Sequence, residues 1–269
     1  MDFLRLYDIV ENSALLRNRL GPNLSPINDQ LRRHISALKM KPFASDIFYM
    51  LAAARLVDYE IEPRMIEELA SEVLTARGPV GFLPIRNPQL EWQMTPRIYA
   101  TYYGLMALHL MNRMDQVVEE DQDWRRRTIS WVLSCQVQRG PERGTFIEQD
   151  CPTSISPEIC WWSTAIMELL KPVANMSRVA RTLSEWLTRT YLVAWKPRWS
   201  ATKAFYATAL LKNLGDSVPE NVKNQLVDFL RSLEADSGFY EFHRDVKSKF
   251  RSEGEWVTVN PHSTAYASL

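Results

Sequence analysis

The sequence predicts an all-α protein built from helical hairpins that repeat and stack. A block recurs first of all. Arg77-Gly78-Pro79 is followed by Gly81-Phe82 and Thr101, and Arg139-Gly140-Pro141 by Gly144-Thr145-Phe146 and Thr164, at an offset of 62 to 63 residues. A period of that size marks reuse of one supersecondary unit. Helices with a charged face also alternate with helices that are apolar over more of their circumference. Finally, nine glycines serve 269 residues, fewer than long β meanders need for their turns.

Each element follows from spacing. Between residues 2 and 19, Phe3, Leu6, Ile9, Val10 and Leu16 recur at helical intervals. Gly21-Pro22 and Ser25-Pro26 break the chain, and a helix from about 28 to 40 stops at Lys41-Pro42. Ser45-Asp46 can cap the next helix, whose small polar face predicts burial; Asp46 is either that cap or a buried carboxylate. Charged-face helices are expected at 65–76, 127–138, 178–192 and 220–233, and apolar partners at 96–111, 157–170, 202–214 and 261–269. Pro96, Pro157 and Pro261 fall at or near first turns, where proline is tolerated. Three pairs carry a glycine-aromatic step, at Gly81-Phe82, Gly144-Thr145-Phe146 and Gly238-Phe239; the remaining pair has Lys196-Pro197-Arg198-Trp199. Thr101, Thr164, Thr208 and Thr264 set a common register, at spacings of 63, 44 and 56.

A hairpin of this kind cannot bury its own apolar side, so neighbours must stack. A superhelical solenoid and a closed α/α barrel both satisfy this, and the apolar inner helices favour a closed or nearly closed barrel. The chain reads as one domain, 1–269, with hairpin repeats over 45–269; either the N-terminal helices in 1–44 complete the ring, or the barrel stays open, or the chain is one part of a longer assembly.

Formal net charge is zero, which excludes an electrostatic nucleic-acid binder. The run Arg125-Arg126-Arg127 beside Glu119, Glu120, Asp121 and Asp123 reads as a solvated helix face. Cys135, Cys151 and Cys160 form no CxxC, and their odd number fits a reducing compartment. Acids interrupt the N-terminal apolar pattern, so no signal peptide is expected, and no stretch approaches 18 apolar residues. These features point to a cytoplasmic protein.

The unit resembles the repeats of the terpenoid cyclase and protein prenyltransferase α/α toroids. Cys135 to Gly140, Gly144-Thr145-Phe146 and Ser163-Thr164-Ala165 look like one such repeat. Leu233 to Phe239 with Ser263-Thr264-Ala265 looks like another, and Arg77 to Phe82 with Thr101 like a third. The resemblance covers roughly 45–269 and implies an α/α toroid of about five to six helical pairs, complete or incomplete. Class II cyclases of this family protonate an alkene or epoxide with an Asp just before the Thr-Ala pair. The matching slots here hold Cys160-Trp161-Trp162-Ser163 and Asn260-Pro261-His262-Ser263, and neither contains an aspartate. Asp150-Cys151-Pro152-Thr153 lies in the preceding loop instead. Protein prenyltransferases hold zinc through an Asp, a Cys two residues later and a distant His. Glu158, Cys160 and His262 are the corresponding candidates, although residues 178–214 place an extra hairpin between them. The resemblance thus leaves zinc or magnesium as candidate cofactors, neither fixed.

Candidate site residues follow. Asp46, Glu158, Glu168 and His262 are the candidate catalytic groups; Glu168, between Met167 and Leu169 in an apolar helix, would have a raised pKa if buried, or else faces a hairpin junction. His109 is expected to satisfy a core hydrogen bond, with His34 and His243 at the surface. Tyr99, Tyr102, Tyr103, Trp161, Trp162, Phe205, Tyr206 and Tyr266 lie near inner-helix starts, which in a toroid ring one mouth of the central cavity. Aromatic faces there stabilise carbocations, or else fill the core between hairpins. Arg97, Arg198 and Lys203 are placed to meet a diphosphate. No Walker, GxSxG, HExxH or DDxxD motif appears, so a diphosphate-ionising class I cyclase has no support.

The leading expectation is an isoprenoid-handling toroid, a divergent class II-type terpene cyclase without the usual acid motif. A zinc-dependent prenyltransferase-like enzyme and a non-catalytic lipid- or partner-binding repeat protein are the alternatives. The expected partner is an isoprenoid or another apolar small molecule. This reading also allows peripheral membrane contact, a partner subunit or a homo-oligomer.

Overall fold

A computed structural model describes residues 44–56, 59–84, 95–148, 155–170, 176–188 and 201–213, together with single positions between 221 and 239. Expectations for His34, Cys151, Arg198, His243, His262, Thr264 and Tyr266 lie outside the described residues. The described helices are α1 (Ala44–Leu56), α2 (Pro63–Thr75), α3 (Ile98–Leu110), α4 (Asp115–Val118), α5 (Gln122–Ser134), α6 (Pro157–Leu170), α7 (Met176–Trp186) and α8 (Ala201–Asn213). A two-residue hairpin, β1 (Glu234–Ala235) with β2 (Gly238–Phe239), is the remaining named element. No described helix is long and apolar enough to cross a membrane. The chain divides into two compact units, residues 1–134 with 165–172 and residues 135–164 with 173–269.

In the first unit the alternation of charged and apolar helices appears directly. α2 opens with Pro63, whose missing N–H costs nothing in a first turn, and buries Leu69, Ala70 and Val73 along one stripe. α3 is buried at nearly every position from Ile98 to Leu108, because α1 and α2 both pack against it. α3 ends in a Schellman motif. Asn112 takes the left-handed conformation (φ +57°), its N–H donates to His109 O at 3.1 Å, and Arg113 N–H donates to Leu108 O at 2.8 Å.

The glycine-aromatic steps are small bridges at the exits of the outer helices. Arg77 pairs with Phe82, and Phe82 with Arg97. Phe82 N–H donates to Thr101 Oγ1 at 2.9 Å, and that hydroxyl donates to Arg97 O at 2.7 Å. The Phe82 ring lies against Gly104, where a Cβ would come within 2.8 Å of it. In the second unit Gln136 pairs with Phe146. Phe146 N–H donates to Cys160 Sγ at 3.5 Å, and Thr164 Oγ1 donates to Cys160 O at 3.2 Å. β1 and β2 reproduce the pairing a third time, with Glu234 opposite Phe239.

The following outer helix clamps the first two steps. Gly81 N–H donates to Thr128 Oγ1 at 3.0 Å, and the Trp124 indole N–H donates to Gly78 O at 2.9 Å. In the second unit a Cβ on Gly144 would come within 2.6 Å of Thr182 Cβ, and the Trp186 indole donates to the Glu142 carboxylate.

Several expectations are corrected. α5 runs from Gln122 to Ser134, not 127–138. Asp121 Oδ1 caps it by accepting Trp124 N–H at 2.9 Å, and Gln136 leaves the helix to pair with Phe146. Asp46 lies inside the first turn of α1 rather than capping it, because the helix already starts at Ala44. His109 is exposed, in the last turn of α3 where the helix leaves the core. Thr208 is exposed as well, and its hydroxyl donates to Ala204 O at 2.9 Å. Its hairpin lacks the glycine-aromatic step in the sequence, and the segment before α8 lies outside the described residues. The arginine run agrees with the solvated face expected of it at Arg126 and Arg127, which are exposed, while Arg125 is half-buried. Arg125 donates to Leu170 O at 2.6 Å, Arg126 pairs with Asp123, and Arg127 donates to Pro79 O at 3.2 Å.

Candidate functional site

α6 begins at Pro157, with Ser156 Oγ accepting Ile159 N–H at 3.4 Å as a cap. Glu158 sits in the first turn, where the helix dipole favours a carboxylate. Positions i, i+3 and i+4 share a helix face, so Glu158, Trp161 and Trp162 form one stripe. All three are half-buried. Both indoles meet Tyr206 of α8, with ring centroids at 5.4 and 6.1 Å, and Phe205 lies 5.3 Å from Tyr206. Lys203 is half-buried one turn before Tyr206. The second unit therefore gathers one carboxyl and four aromatic rings, two of them indoles that are only partly covered.

Cys160 belongs to a different surface of α6. It is fully buried, its sulfur accepts the Phe146 N–H, and burial pushes its thiol up to about 12. Residues two apart on a helix point to opposite sides, so Glu158 and Cys160 do not converge. No group of three His, Cys, Asp or Glu residues suited to a metal occurs among the described residues. Glu158 and Cys160 thus form no converging pair, and the third candidate zinc ligand, His262, lies outside the described residues.

A second aromatic cluster lies in the first unit. Phe48 and Tyr49 of α1 meet Tyr102 and Tyr103 of α3, with centroids 5.1 to 6.2 Å apart. The Tyr49 and Tyr103 hydroxyls are 2.6 Å apart. Asp46 precedes Tyr49 by three residues, and Tyr99 is half-buried one turn before Tyr102 and Tyr103. Arg97 is half-buried at the N-cap of α3 and bridges to Phe82, so it serves the loop as well as the helix start.

Glu168 departs from its expected role. It is exposed, although neighbouring atoms still desolvate its carboxyl enough to raise its pKa. Two groups escaped the sequence reading. Glu148 is buried, and alternation from Phe146 was the available signal for it. Ser163 is fully buried and its hydroxyl has no hydrogen-bond partner. Two shallow depressions of about 300 and 240 Å³ lie in the first unit, and neither is lined by the aromatic clusters.

The family model of the prenyltransferase alpha-alpha toroid domain matches residues 83–254. Among solved structures, the chain is similar to Candida albicans protein geranylgeranyltransferase-I complexed with GGPP. The TM-score is 0.52 at 11% identity, covering 92% of this chain and 67% of that one. No curated protein sequence matches significantly. The α/α-toroid expectation is borne out by these matches.

Proposed function

We propose an isoprenoid-handling function for this chain, which belongs to the prenyltransferase α/α-toroid family. The observation that carries the reading is the α6 stripe, in which Glu158 shares a face with two half-buried indoles that meet Tyr206. The chemistry that suits this stripe is protonation-initiated cyclisation. In the step this requires, Glu158 gives a proton to a terminal alkene or epoxide of a polyene, from a carboxyl that must be protonated against the dipole at the start of α6. The resulting cation is held over the faces of Trp161, Trp162 and Tyr206, whose quadrupoles contribute about 0.5–2 kcal/mol each. An internal double bond then attacks the cation and closes a ring, and loss of a proton ends the sequence. Asp46, one turn before Tyr49, is the corresponding carboxyl of the first unit's cluster.

Prenyl transfer through zinc gains no support from Glu158 and Cys160, and no step is assigned to a metal. Incubation of the chain with prenyl diphosphates, linear polyenes and their epoxides tests the reading. A cyclised product is expected, lost at least a hundredfold in Glu158→Gln, with indole fluorescence still quenched by substrate in that variant. Chelators should leave turnover unchanged. Quenching without product would favour the lipid-binding alternative, and neither quenching nor product would sink isoprenoid handling.

A further inference from the structure

The packing of α1 on α3 brings two phenols into contact. The Tyr49 and Tyr103 hydroxyl oxygens are 2.6 Å apart, at the short end of the range for an O–H···O bond, and the ring centroids are 5.3 Å apart. The rings therefore converge toward their oxygens, and the inner ortho carbon of each faces that of the other. They are inclined at 51°, a twist that two directly bonded phenol rings also need, because ortho substituents keep such a pair from lying flat. Neighbours hold both rings in place. Phe48 lies 5.1 Å from Tyr49 and 5.4 Å from Tyr103, and Tyr102 lies 5.2 Å from Tyr103. Tyr49 is half-buried, so a small solute reaches it, whereas Tyr103 is 8% exposed.

We propose that Tyr49 and Tyr103 are an oxidative modification site, at which a diffusible one-electron oxidant joins the two rings as dityrosine. One oxidant molecule takes an electron from Tyr49, and the phenolic proton goes to water. The Tyr49 radical then takes the hydrogen atom of Tyr103 across the 2.6 Å contact, which moves the radical to the covered ring. A second oxidant molecule removes an electron and a proton from Tyr49 again. The unpaired spin of each phenoxyl lies partly on its ortho carbons, and a carbon–carbon bond forms between the facing pair. Each ortho hydrogen passes to the oxygen of its own ring and restores a phenol. The two electrons end on the oxidant and the two protons in water. Because the rings are held at contact, the coupling is unimolecular. The product keeps its hydroxyls adjacent, so the original hydrogen bond survives. The new bond ties α1 to α3 and closes a covalent loop around α2. It uses no residue of the α6 stripe and is independent of isoprenoid handling.

Brief illumination of the full chain with tris(bipyridyl)ruthenium and persulfate, which generates such an oxidant, tests the proposal. The expected product is a single chain lighter by two hydrogen atoms, with dityrosine fluorescence and a cross-linked peptide pair that joins position 49 to position 103. Its yield should not change on dilution. Tyr49→Phe and Tyr103→Phe should each lower that yield at least tenfold, whereas Tyr102→Phe should leave it intact. The cross-linked chain should melt about 4 °C or more above the untreated one, since the bond restricts the unfolded chain. Mapping the product of the unmutated chain decides the matter even where a variant folds poorly. A yield that falls on dilution, a bond mapped to another tyrosine pair, or oxidation without dityrosine would each overturn the proposal.

Discussion

Gly81 and Gly140 share a left-handed backbone but differ in what surrounds them. A Cβ on Gly81 would lie 2.5 Å from Thr101 Oγ1 and 2.9 Å from Trp131, whereas a Cβ on Gly140 meets nothing within 4 Å. Gly81→Ala is therefore expected to cost about 2–3 kcal/mol. Gly140→Ala should cost only the left-handed backbone penalty, about 1 kcal/mol. Denaturant unfolding of the two variants measures the difference. Cys160 is a second case. Its thiol remains protonated in the folded chain, while the unfolded chain ionises it near 9.0. The unfolded state thus releases a proton that the folded state keeps, and the Cys160 contribution, complete below pH 9, declines as pH rises toward 12. The slope should not exceed about 1.4 kcal/mol per pH unit. Cys160→Ser should remove that slope and still accept the Phe146 N–H. Cys160→Val should leave the N–H orphaned, at about 1–3 kcal/mol. The resemblance to protein prenyltransferases suggested a metal ligand at Cys160, with Glu158 two residues before it and His262 as the third member. The actual partner of the sulfur, Phe146, is 14 residues distant, across a loop whose path only the folded backbone defines.

Among the elements, the recurring unit is a helix exit, a glycine-aromatic bridge and a clamp from the next outer helix. Thr101 joins these parts, since it accepts from Phe82 and donates back to Arg97. Thr101→Val keeps the shape and removes both bonds, so a loss of about 2 kcal/mol is expected. Trp124→Phe removes the indole donor to Gly78 O while keeping a ring beside Phe82, and should cost about 1 kcal/mol. Thermal unfolding of the single variants and the pair tests whether they couple, as members of one network should. The threonine register at Thr101 and Thr164 was legible because the local sequence repeats with it. Thr208 shared the spacing without the function, as no glycine-aromatic step precedes it. Helix ends such as Ser134 were less legible, because hydrogen bonds to a distant strand-like segment compete with one more helical turn.

For the molecule as a whole, the toroid family accounts for residues 83–254 and the structural likeness for nearly the whole chain, while the chemistry rests on a few side chains. Trp161→Leu is expected to weaken isoprenoid binding about fivefold or more, by removing one aromatic face, without loss of fold; equilibrium quenching of the remaining indoles reads it. Periodicity, glycine placement and apolar balance by themselves determined the all-α class, the hairpin repeat and the positions of the aromatic residues. These depend on local spacing and on side-chain polarity, which a sequence states directly. Tertiary structure alone decided that Glu168 and His109 face solvent, that Cys160 is a structural acceptor, and that Glu148 and the Ser163 hydroxyl are buried. Burial and hydrogen-bond partnership arise from contacts between segments far apart in the chain, and no local pattern encodes which segment arrives.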